Sequence, residues 1–210
     1  MKPIYGITDP ALLPGERLYS GVAAALAGGV TLIQYRDKNA PAPLRRQRAE
    51  RLNDLVQSVG GSLIINDDWR LAAAVGAAGV HLGQGDGDPA AARAGLPPGA
   101  LIGVTCHADL SLAQQAVAAG ASYVAFGRFF PSSTKPDAPA ANPALLGRAR
   151  ASLSAPIVAI GGIDLHNLTQ LVTAGAHSCA VCHSLFGAED ITAAARALTA
   201  RFLQSHHSGQ

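Results

Sequence analysis

The chain has 210 residues, of which 16 are Lys or Arg and 14 are Asp or Glu, so its formal net charge is only +2. Because 49% of the residues are hydrophobic and 14% are charged, the sequence is not that of a disordered chain, and the near-neutral charge argues against a nucleic-acid-binding surface. The uncharged stretches are broken by polar residues and the start has no long apolar run, which argues against a membrane span and a signal peptide, so we expect a soluble cytoplasmic protein.

Eight short apolar runs predict β-strands. The runs are apolar throughout instead of alternating, as is typical of parallel strands covered on both faces. They span residues 4–8, 31–35, 62–66, 80–83, 101–105, 123–127, 157–161 and 179–183.

Segments with helical periodicity separate these runs, at residues 18–27, 44–59, 71–78, 89–96, 110–119, 143–152, 165–174 and 191–203. Asp68, Asp109 and Asp164 stand before three of them as candidate N-caps. Eight strand–helix units without a linker predict a single (β/α)₈ TIM barrel over residues 1–204, followed by a disordered tail over 205–210. An open doubly wound sheet is the alternative, but the regular repeat and the lack of a dinucleotide fingerprint favour closure.

The three cysteines give no disulfide framework. Cys179 and Cys182 have the CxxC spacing of a redox pair or half a zinc site. Residues three apart on a strand point to opposite faces, however, and no second CxxC is present. We therefore expect Cys106, Cys179 and Cys182 to be structural thiols.

The predicted exits of strands 2 to 4 carry charged residues. Gln34, Arg36 and Lys38 alternate after strand 2, so in an extended segment they share one face and suit a polyanion. Asp67 follows strand 3 and Asp86 follows strand 4. In a TIM barrel these exits meet at the reactive face, where two carboxylates together with substrate phosphates can hold Mg²⁺.

The predicted exits of strands 5 and 6 offer a second set of polar groups. Thr105 could donate its hydroxyl to a leaving phosphate, and His107 could act as an acid or base, although a single histidine is more often structural. The long loop after strand 6 carries Ser132, Thr134 and Lys135, a pattern suited to a phosphate. A rigid cover is the alternative role for this loop.

The last two predicted exits suggest an anion site of a different kind. Gly161 and Gly162 precede a predicted helix, so a phosphate could approach backbone N–H groups and the positive helix end. Cys182 and His183 follow strand 8 on the other side of that site. The sequence therefore predicts two anion sites, one basic at strands 2–4 and one glycine-rich at strands 6–8.

The chain resembles the thiamine phosphate synthase family over nearly its whole length. The matching motifs occur in order, at Tyr5-Gly6-Ile7-Thr8-Asp9, Gln34-Tyr35-Arg36-Asp37-Lys38, Asn66-Asp67-Asp68, Val80-His81-Leu82-Gly83-Gln84, Thr134-Lys135 and Ile160-Gly161-Gly162-Ile163. The resemblance implies a barrel that joins an aminopyrimidine methyl pyrophosphate to a thiazole phosphate and releases pyrophosphate. It further implies a dissociative substitution, in which pyrophosphate leaves before the thiazole nitrogen attacks.

The resemblance also implies roles for individual residues. The pyrimidine pyrophosphate would be held by Gln34, Arg36, Lys38 and Asn66, its leaving group by Thr105 and Lys135, and Mg²⁺ by Asp67 and Asp86. The catalytic set would be Arg36, Lys38, Thr105 and Lys135, which together with the metal neutralise the leaving group. The thiazole phosphate would be surrounded by Ser132, Thr134, Gly162, Cys182 and His183.

This chain departs from the family pattern in two places. Thr105 stands where many relatives have serine, which keeps the hydroxyl and adds a methyl group. Cys182 and His183 replace a common Ile-Ser pair, so a role for a side-chain hydroxyl there is in doubt, whereas a role for the backbone N–H groups is not.

Two other functions remain alternatives. A thiazole tautomerase on the same barrel would need the glycine-rich site and an acid/base such as His107, but not the whole charged site at strands 2–4. A non-catalytic barrel that binds a phosphate ligand would not need paired carboxylates. In each case the partners are small molecules, neither nucleic acid nor membrane, and the sequence leaves open whether the chain forms a homodimer.

Overall fold

A closed barrel of parallel strands forms the centre of the molecule. The structure is a computed structural model, and it describes residues 1–131 and 140–207. Each strand within these ranges pairs with its neighbours in the sequence, and the last pairs with the first. The strands are β1 Ile4–Ile7, β2 Leu32–Tyr35, β3 Ser62–Asn66, β4 Gly79–Leu82, β5 Leu101–Thr105, β6 Tyr123–Phe126, β7 Ile157–Ile160 and β8 Ser178–Val181.

Helices surround the barrel and return the chain to the start of each next strand. In the described ranges they are α1 Arg17–Ala27, α2 Ala42–Gln57, α3 Trp69–Val75, α4 Pro89–Gly95, α5 Leu110–Ala118, α6 Ala144–Ser152, α7 Leu168–Ala174, α8 His183–Phe186 and α9 Ile191–His207. The predicted (β/α)₈ TIM barrel is confirmed. None of the helices described is long and apolar enough to cross a membrane.

Two apolar layers pack against the barrel wall because successive strand residues point to opposite faces. On β2, Ile33 and Tyr35 pack outward against the helices, whereas Leu32 lies in the inner layer. The inner layer fills the barrel with Tyr5, Ile7, Leu32, Ile64, Tyr123, Ala125, Val158 and Ala180. Strands covered on both faces explain why the strand sequences are apolar throughout.

The CxxC cysteines lie on opposite sides of this wall, as predicted. Cys179 belongs to the outer layer, and Cys182 packs against the inner layer. Burial raises the pKa of each thiol to about 12, so both stay protonated near neutrality. The placement of the two sulfurs on opposite sides of the wall argues against a redox pair or a zinc half-site between them.

One predicted helix start differs from the structure by about a turn, and the others agree within two residues. Asp68 and Asp109 cap α3 and α5, as expected, by accepting backbone N–H bonds from the first turn. Asp164 does not cap α7, because its carboxylate accepts from the N–H groups of His166 and Asn167 in a turn before that helix. The predicted start of this helix was therefore wrong by one turn.

The tail expected from residue 205 is wrong for residues 205–207, because α9 continues to His207. Ser205 is buried, its hydroxyl donates to the carbonyl of Arg201, and its Oγ lies 2.9 Å from Oγ1 of Thr169. These contacts bind the end of α9 to α7. Residues 208–210 lie outside the described part of the chain.

Candidate active site

A cavity of about 490 Å³ opens at the carboxyl ends of the strands. Its apolar floor includes Ile7, Ala125, Val158 and Ala180 from the inner layer of the barrel. Its polar wall comes from residues at the strand exits. The fold thus places the cavity at the end of the barrel where TIM-barrel active sites lie.

The cavity brings together seven of the predicted site residues, from both proposed anion sites. These residues are Gln34, Arg36, Asn66, Thr105, Gly162, Cys182 and His183. Lys38 and Asp67 line an adjoining cavity of about 50 Å³, which they share with Asn66. The predicted Ser132, Thr134 and Lys135 lie outside the described residues, so their placement stays a prediction.

The loop after β2 is held in place by two polar residues for which the sequence suggested no role. Buried Thr8 accepts a 3.0 Å hydrogen bond from the backbone N–H of Arg36. Asp37 is also buried, and its carboxylate accepts from the N–H groups of Asn39 and Ala40 and from Arg48 Nη1 at 2.7 Å. These contacts fix the backbone on either side of Arg36 and Lys38.

Two carboxylates and one ammonium group meet beside the larger cavity. Lys38 Nζ lies 2.9 Å from Asp67 Oδ2, and Asp86 Oδ2 accepts from the N–H of Gly83 at 3.0 Å. Partial burial raises the pKa of Asp86, and the neighbouring Asp67 raises it further through a hydrogen bond and its charge, while Lys38 opposes the rise. Asp67 has a φ of +66°, a left-handed conformation in the turn that leaves β3.

This donor set fits a hard divalent cation. The described residues include no group of three or more His, Cys, Asp or Glu side chains that could hold a metal by themselves. Asp67 and Asp86 would therefore supply two carboxylates, and substrate oxygens or water would complete the shell, as is usual for Mg²⁺. The raised pKa of Asp86 fits the same assignment, because a cation would relieve the repulsion between the two carboxylates.

The glycine-rich turn after β7 closes the opposite end of the cavity. Gly161 and Gly162 have φ values of +101° and +64°, and a Cβ on either would overlap the chain leaving β6. The side-chain amide of Asn167 donates to the carbonyl of Gly162, and Ser184 Oγ donates to that of Ile163. Because α7 begins only at Leu168, the predicted helix end does not stand at Gly162.

The cavity also contains polar residues that the sequence analysis did not assign to the site. Tyr5, Asp9, His81 and Arg128 all line it. Tyr5 and His81 lie within strands, where a polar residue in an apolar run is easily taken for part of the core. The signal available was the two-residue period, since Tyr5 and Ile7 share the inward face of β1.

Comparison with known proteins assigns the chain to a family. The sequence matches the family model of thiamine monophosphate synthase over residues 4–185. It is 52% identical over 202 residues to a thiamine-phosphate synthase of Alcanivorax borkumensis, an alignment that covers 95% of this chain and 93% of the relative. It is 51% identical over 205 residues to one of Marinobacter nauticus, with 97% and 92% covered.

A solved structure gives the same result. The fold matches that of a thiamine phosphate pyrophosphorylase from Pyrococcus furiosus with a TM-score of 0.88 and 32% sequence identity. The superposition covers 97% of this chain and 96% of that one. The chain therefore belongs to the thiamine monophosphate synthase family of transferases.

Proposed function

We propose that the protein condenses 4-amino-2-methyl-5-hydroxymethylpyrimidine diphosphate with thiazole phosphate, or its carboxylated form, to give thiamine phosphate and pyrophosphate. The observation that carries this proposal is a single cavity with a polar, cationic end and a glycine-rich end. Gln34, Arg36 and Asn66 line the first end, and Gly162 and His183 line the second. A ligand with a diphosphate and a ligand with one phosphate can meet between them.

The first step breaks the bond between the pyrimidine methylene carbon and the diphosphate oxygen, and pyrophosphate leaves with the electron pair. Arg36, Lys38 and Lys135 supply positive charge, and Thr105 supplies a hydrogen-bond donor, where negative charge develops on the departing oxygens. Held by Asp67 and Asp86, Mg²⁺ would neutralise part of the same charge. Fixed groups of this kind stabilise the transition state because they do not reorganise during the reaction.

The second step forms the new carbon–nitrogen bond. The thiazole nitrogen attacks the pyrimidine methylene cation with its own lone pair, so no general base is required. Water in the cavity would compete for the cation. The apolar floor formed by Ile7, Ala125, Val158 and Ala180 lowers that competition by leaving few polar groups to hold water.

Two substitutions test the roles of the metal-binding and cationic residues. We expect Asp67→Ala and Lys135→Ala each to lower kcat for pyrophosphate release by about 100-fold or more. Neither should change the thermal unfolding midpoint by more than a few degrees. Glu50→Ala is the control, because Glu50 is exposed on α2 and pairs only with Arg46 among the ion pairs described. If both variants turned over at the wild-type rate, the assigned roles would be wrong.

A third substitution separates the transferase from the tautomerase. His107 lines the cavity, so an acid/base role is geometrically open to it. The proposed transferase needs no such group, and His107→Ala should therefore lower kcat only a few-fold. Loss of all activity in this variant, with thiazole isomerisation by the wild type, would favour the tautomerase.

A further inference from the structure

A chain of buried hydrogen bonds crosses the floor of the cavity. It begins at Gln34 on β2, whose Nε2 donates to the Tyr5 hydroxyl at 2.7 Å. The Tyr5 hydroxyl lies 3.0 Å from that of Tyr123 on β6. All three residues are at most 2% exposed. Polar groups buried this deeply must satisfy one another, so these contacts are fixed features of the fold.

The series of hydrogen bonds continues to the opposite wall of the cavity. The Tyr123 hydroxyl lies 3.1 Å from His81 Nδ1, and His81 Nε2 lies 2.9 Å from Thr105 Oγ1. It therefore joins Gln34 to Thr105, two residues expected to contact the diphosphate substrate from different strands. Both ring nitrogens of His81 are engaged, one by the Tyr123 hydroxyl and one by Thr105 Oγ1, so His81 would act on the diphosphate through Thr105.

Packing holds these rings in place. The rings of Tyr5 and Tyr123 meet edge to face with centroids 6.1 Å apart, and the centroid of His81 lies 5.6 Å from that of Tyr123. Gly103 on β5 makes room for Tyr123, because a Cβ there would overlap the phenol ring. The backbone of Thr105 is held separately, by a hydrogen bond from Gln84 Nε2 to its carbonyl.

The donor–acceptor order along this series of hydrogen bonds follows from its first donor, Gln34. Since Gln34 gives an N–H to Tyr5, the Tyr5 hydroxyl is left to donate to Tyr123, and Tyr123 to donate to Nδ1 of His81. Burial raises the pKa of both phenols, so both keep the protons that this order needs. The imidazole then carries its own proton on Nε2 and donates it to Thr105 Oγ1.

We propose that His81 is a positioning residue, which by donating to Thr105 Oγ1 keeps the threonine hydroxyl proton directed at the diphosphate. This proposal rests on the proposed function. Diphosphate oxygens only accept hydrogen bonds, so a threonine that donated to histidine instead would present a lone pair to them. Tyr5 and Tyr123 act indirectly, because they determine which nitrogen of His81 carries the proton.

Substitutions at His81 test this proposal through Thr105. The amide nitrogen of glutamine reaches the place of Nε2, whereas that of asparagine reaches the place of Nδ1. We expect His81→Asn to lower kcat about tenfold with a smaller change in KM. His81→Gln should restore most of that loss. In a Thr105→Ala background, His81→Asn should cost no further activity, because the group it acts through has been removed.

If His81→Asn lowered kcat by the same factor with and without the Thr105 hydroxyl, the proposal would be overturned. The wild-type rate in the same assay separates this failure from failure of the proposed function. If the wild type released no pyrophosphate, the function would be wrong. If it did, the double-variant comparison tests His81 alone.

Nitrogen-15 NMR of the full chain tests the same proposal without activity. The wild type should show His81 protonated on Nε2, identified by the signal lost in His81→Gln. Tyr123→Phe should weaken that preference, because it removes the donor to Nδ1. Tyr19→Phe is the matched control, since Tyr19 lies on α1 beneath Arg51, outside the barrel. A His81 proton on Nδ1 in the wild type would reverse the donor–acceptor order of these hydrogen bonds and contradict the proposal.

Discussion

At the scale of single residues, the unusual feature of the site is that two carboxylates, Asp67 and Asp86, lie beside each other. Partial burial raises the pKa of Asp86, the hydrogen bond and charge of Asp67 raise it further, and Lys38 opposes the rise. A protein gains nothing in stability from two like charges side by side. The proposed cation at Asp67 and Asp86 would offset this repulsion, and it leads to a specific prediction about stability without metal.

We expect Asp86→Asn to leave the thermal unfolding midpoint unchanged, or to raise it slightly, when no divalent metal is present. The reason is that it removes a repulsive charge, while the amide oxygen can still accept from the N–H of Gly83. The same variant should lose the rise in midpoint that Mg²⁺ gives the wild type. Differential scanning calorimetry with and without Mg²⁺ measures both effects.

Asp54→Asn is the control for this experiment, because Asp54 is exposed on α2, away from the metal residues. It should keep the full response to Mg²⁺. A wild-type response to Mg²⁺ in Asp86→Asn would show that Asp86 does not bind the metal.

Several residues that touch the cavity from strand exits could be predicted from the sequence, and polar residues within the strands could not. Gln34, Arg36 and Thr105 stand out because a polar group follows an apolar run. Tyr5 and His81 do not, because their polar atoms lie inside the barrel and their strands still look like core. Their roles depend on which strands face each other across the barrel, which a linear pattern does not contain.

At the scale of single elements, the loop between β2 and α2 shows how a flexible connection is made rigid. Asp37 accepts from two backbone N–H groups of the loop and pairs with Arg48 of α2. The loop carries Arg36 and Lys38, so this carboxylate, together with Thr8, holds them in place.

We expect Asp37→Ala to raise KM for the diphosphate substrate several-fold and to lower the free energy of unfolding by about 1–3 kcal/mol. The partly buried guanidinium of Arg48 would lose this carboxylate, and two backbone N–H groups would lose their acceptor. Urea unfolding and steady-state kinetics measure the two effects. Glu50→Ala, which breaks the exposed Arg46–Glu50 pair on the same helix, should change stability by less than about 1 kcal/mol. If Asp37→Ala and Glu50→Ala changed KM and the free energy of unfolding equally, Asp37 would not hold the loop in place.

The cap of α5 makes a prediction about pH. Hydrogen bonds from Ser111 and Leu112 lower the pKa of Asp109 below its usual range. The stability that the carboxylate contributes is therefore fully present above the ordinary aspartate pKa, and it is lost as the pH falls through the lowered value. The difference in unfolding midpoint between the wild type and Asp109→Ala should shrink on acidification.

Asp109→Asn is the matched control, because asparagine also caps helices but does not titrate. The difference in unfolding midpoint between Asp109→Asn and Asp109→Ala should stay constant over the same pH range. If the unfolding midpoint of the wild type rose further above that of Asp109→Ala as the pH fell, the carboxylate would not be stabilised by these hydrogen bonds.

Helix boundaries were the least predictable feature at this scale. Asp109 and Asp164 both precede a helical pattern, yet only Asp109 is a cap. The difference is that Asn167 donates to Gly162 and accepts from the N–H of Asp164, which makes a separate turn after β7. That turn exists because the glycine pair packs against the chain leaving β6, a contact distant in the sequence.

At the scale of the whole molecule, the barrel could be predicted because its repeat is regular. Each unit buries an apolar strand between two layers, and eight such units close on themselves. The end of α9 could not be predicted, because its polar sequence resembles a tail. Ser205 is nevertheless buried, through its contact with Thr169 on α7.

The closed barrel also explains how a weakly charged protein can hold two phosphorylated ligands. Two of its three lysines, Lys38 and Lys135, belong to loops expected at the same mouth. Charged residues are scarce over the whole chain, but Arg36 and Lys38 lie together where β2 ends. The proposed substrates would therefore meet a local positive field that the net charge of +2 does not reveal.

The most direct test mixes the purified protein with both phosphorylated substrates and measures pyrophosphate and thiamine phosphate over time, with and without Mg²⁺. We predict that the two products form in equal amounts, that formation requires both substrates, and that chelation of Mg²⁺ stops it. Failure to release pyrophosphate with both substrates and Mg²⁺ present would contradict the proposed function.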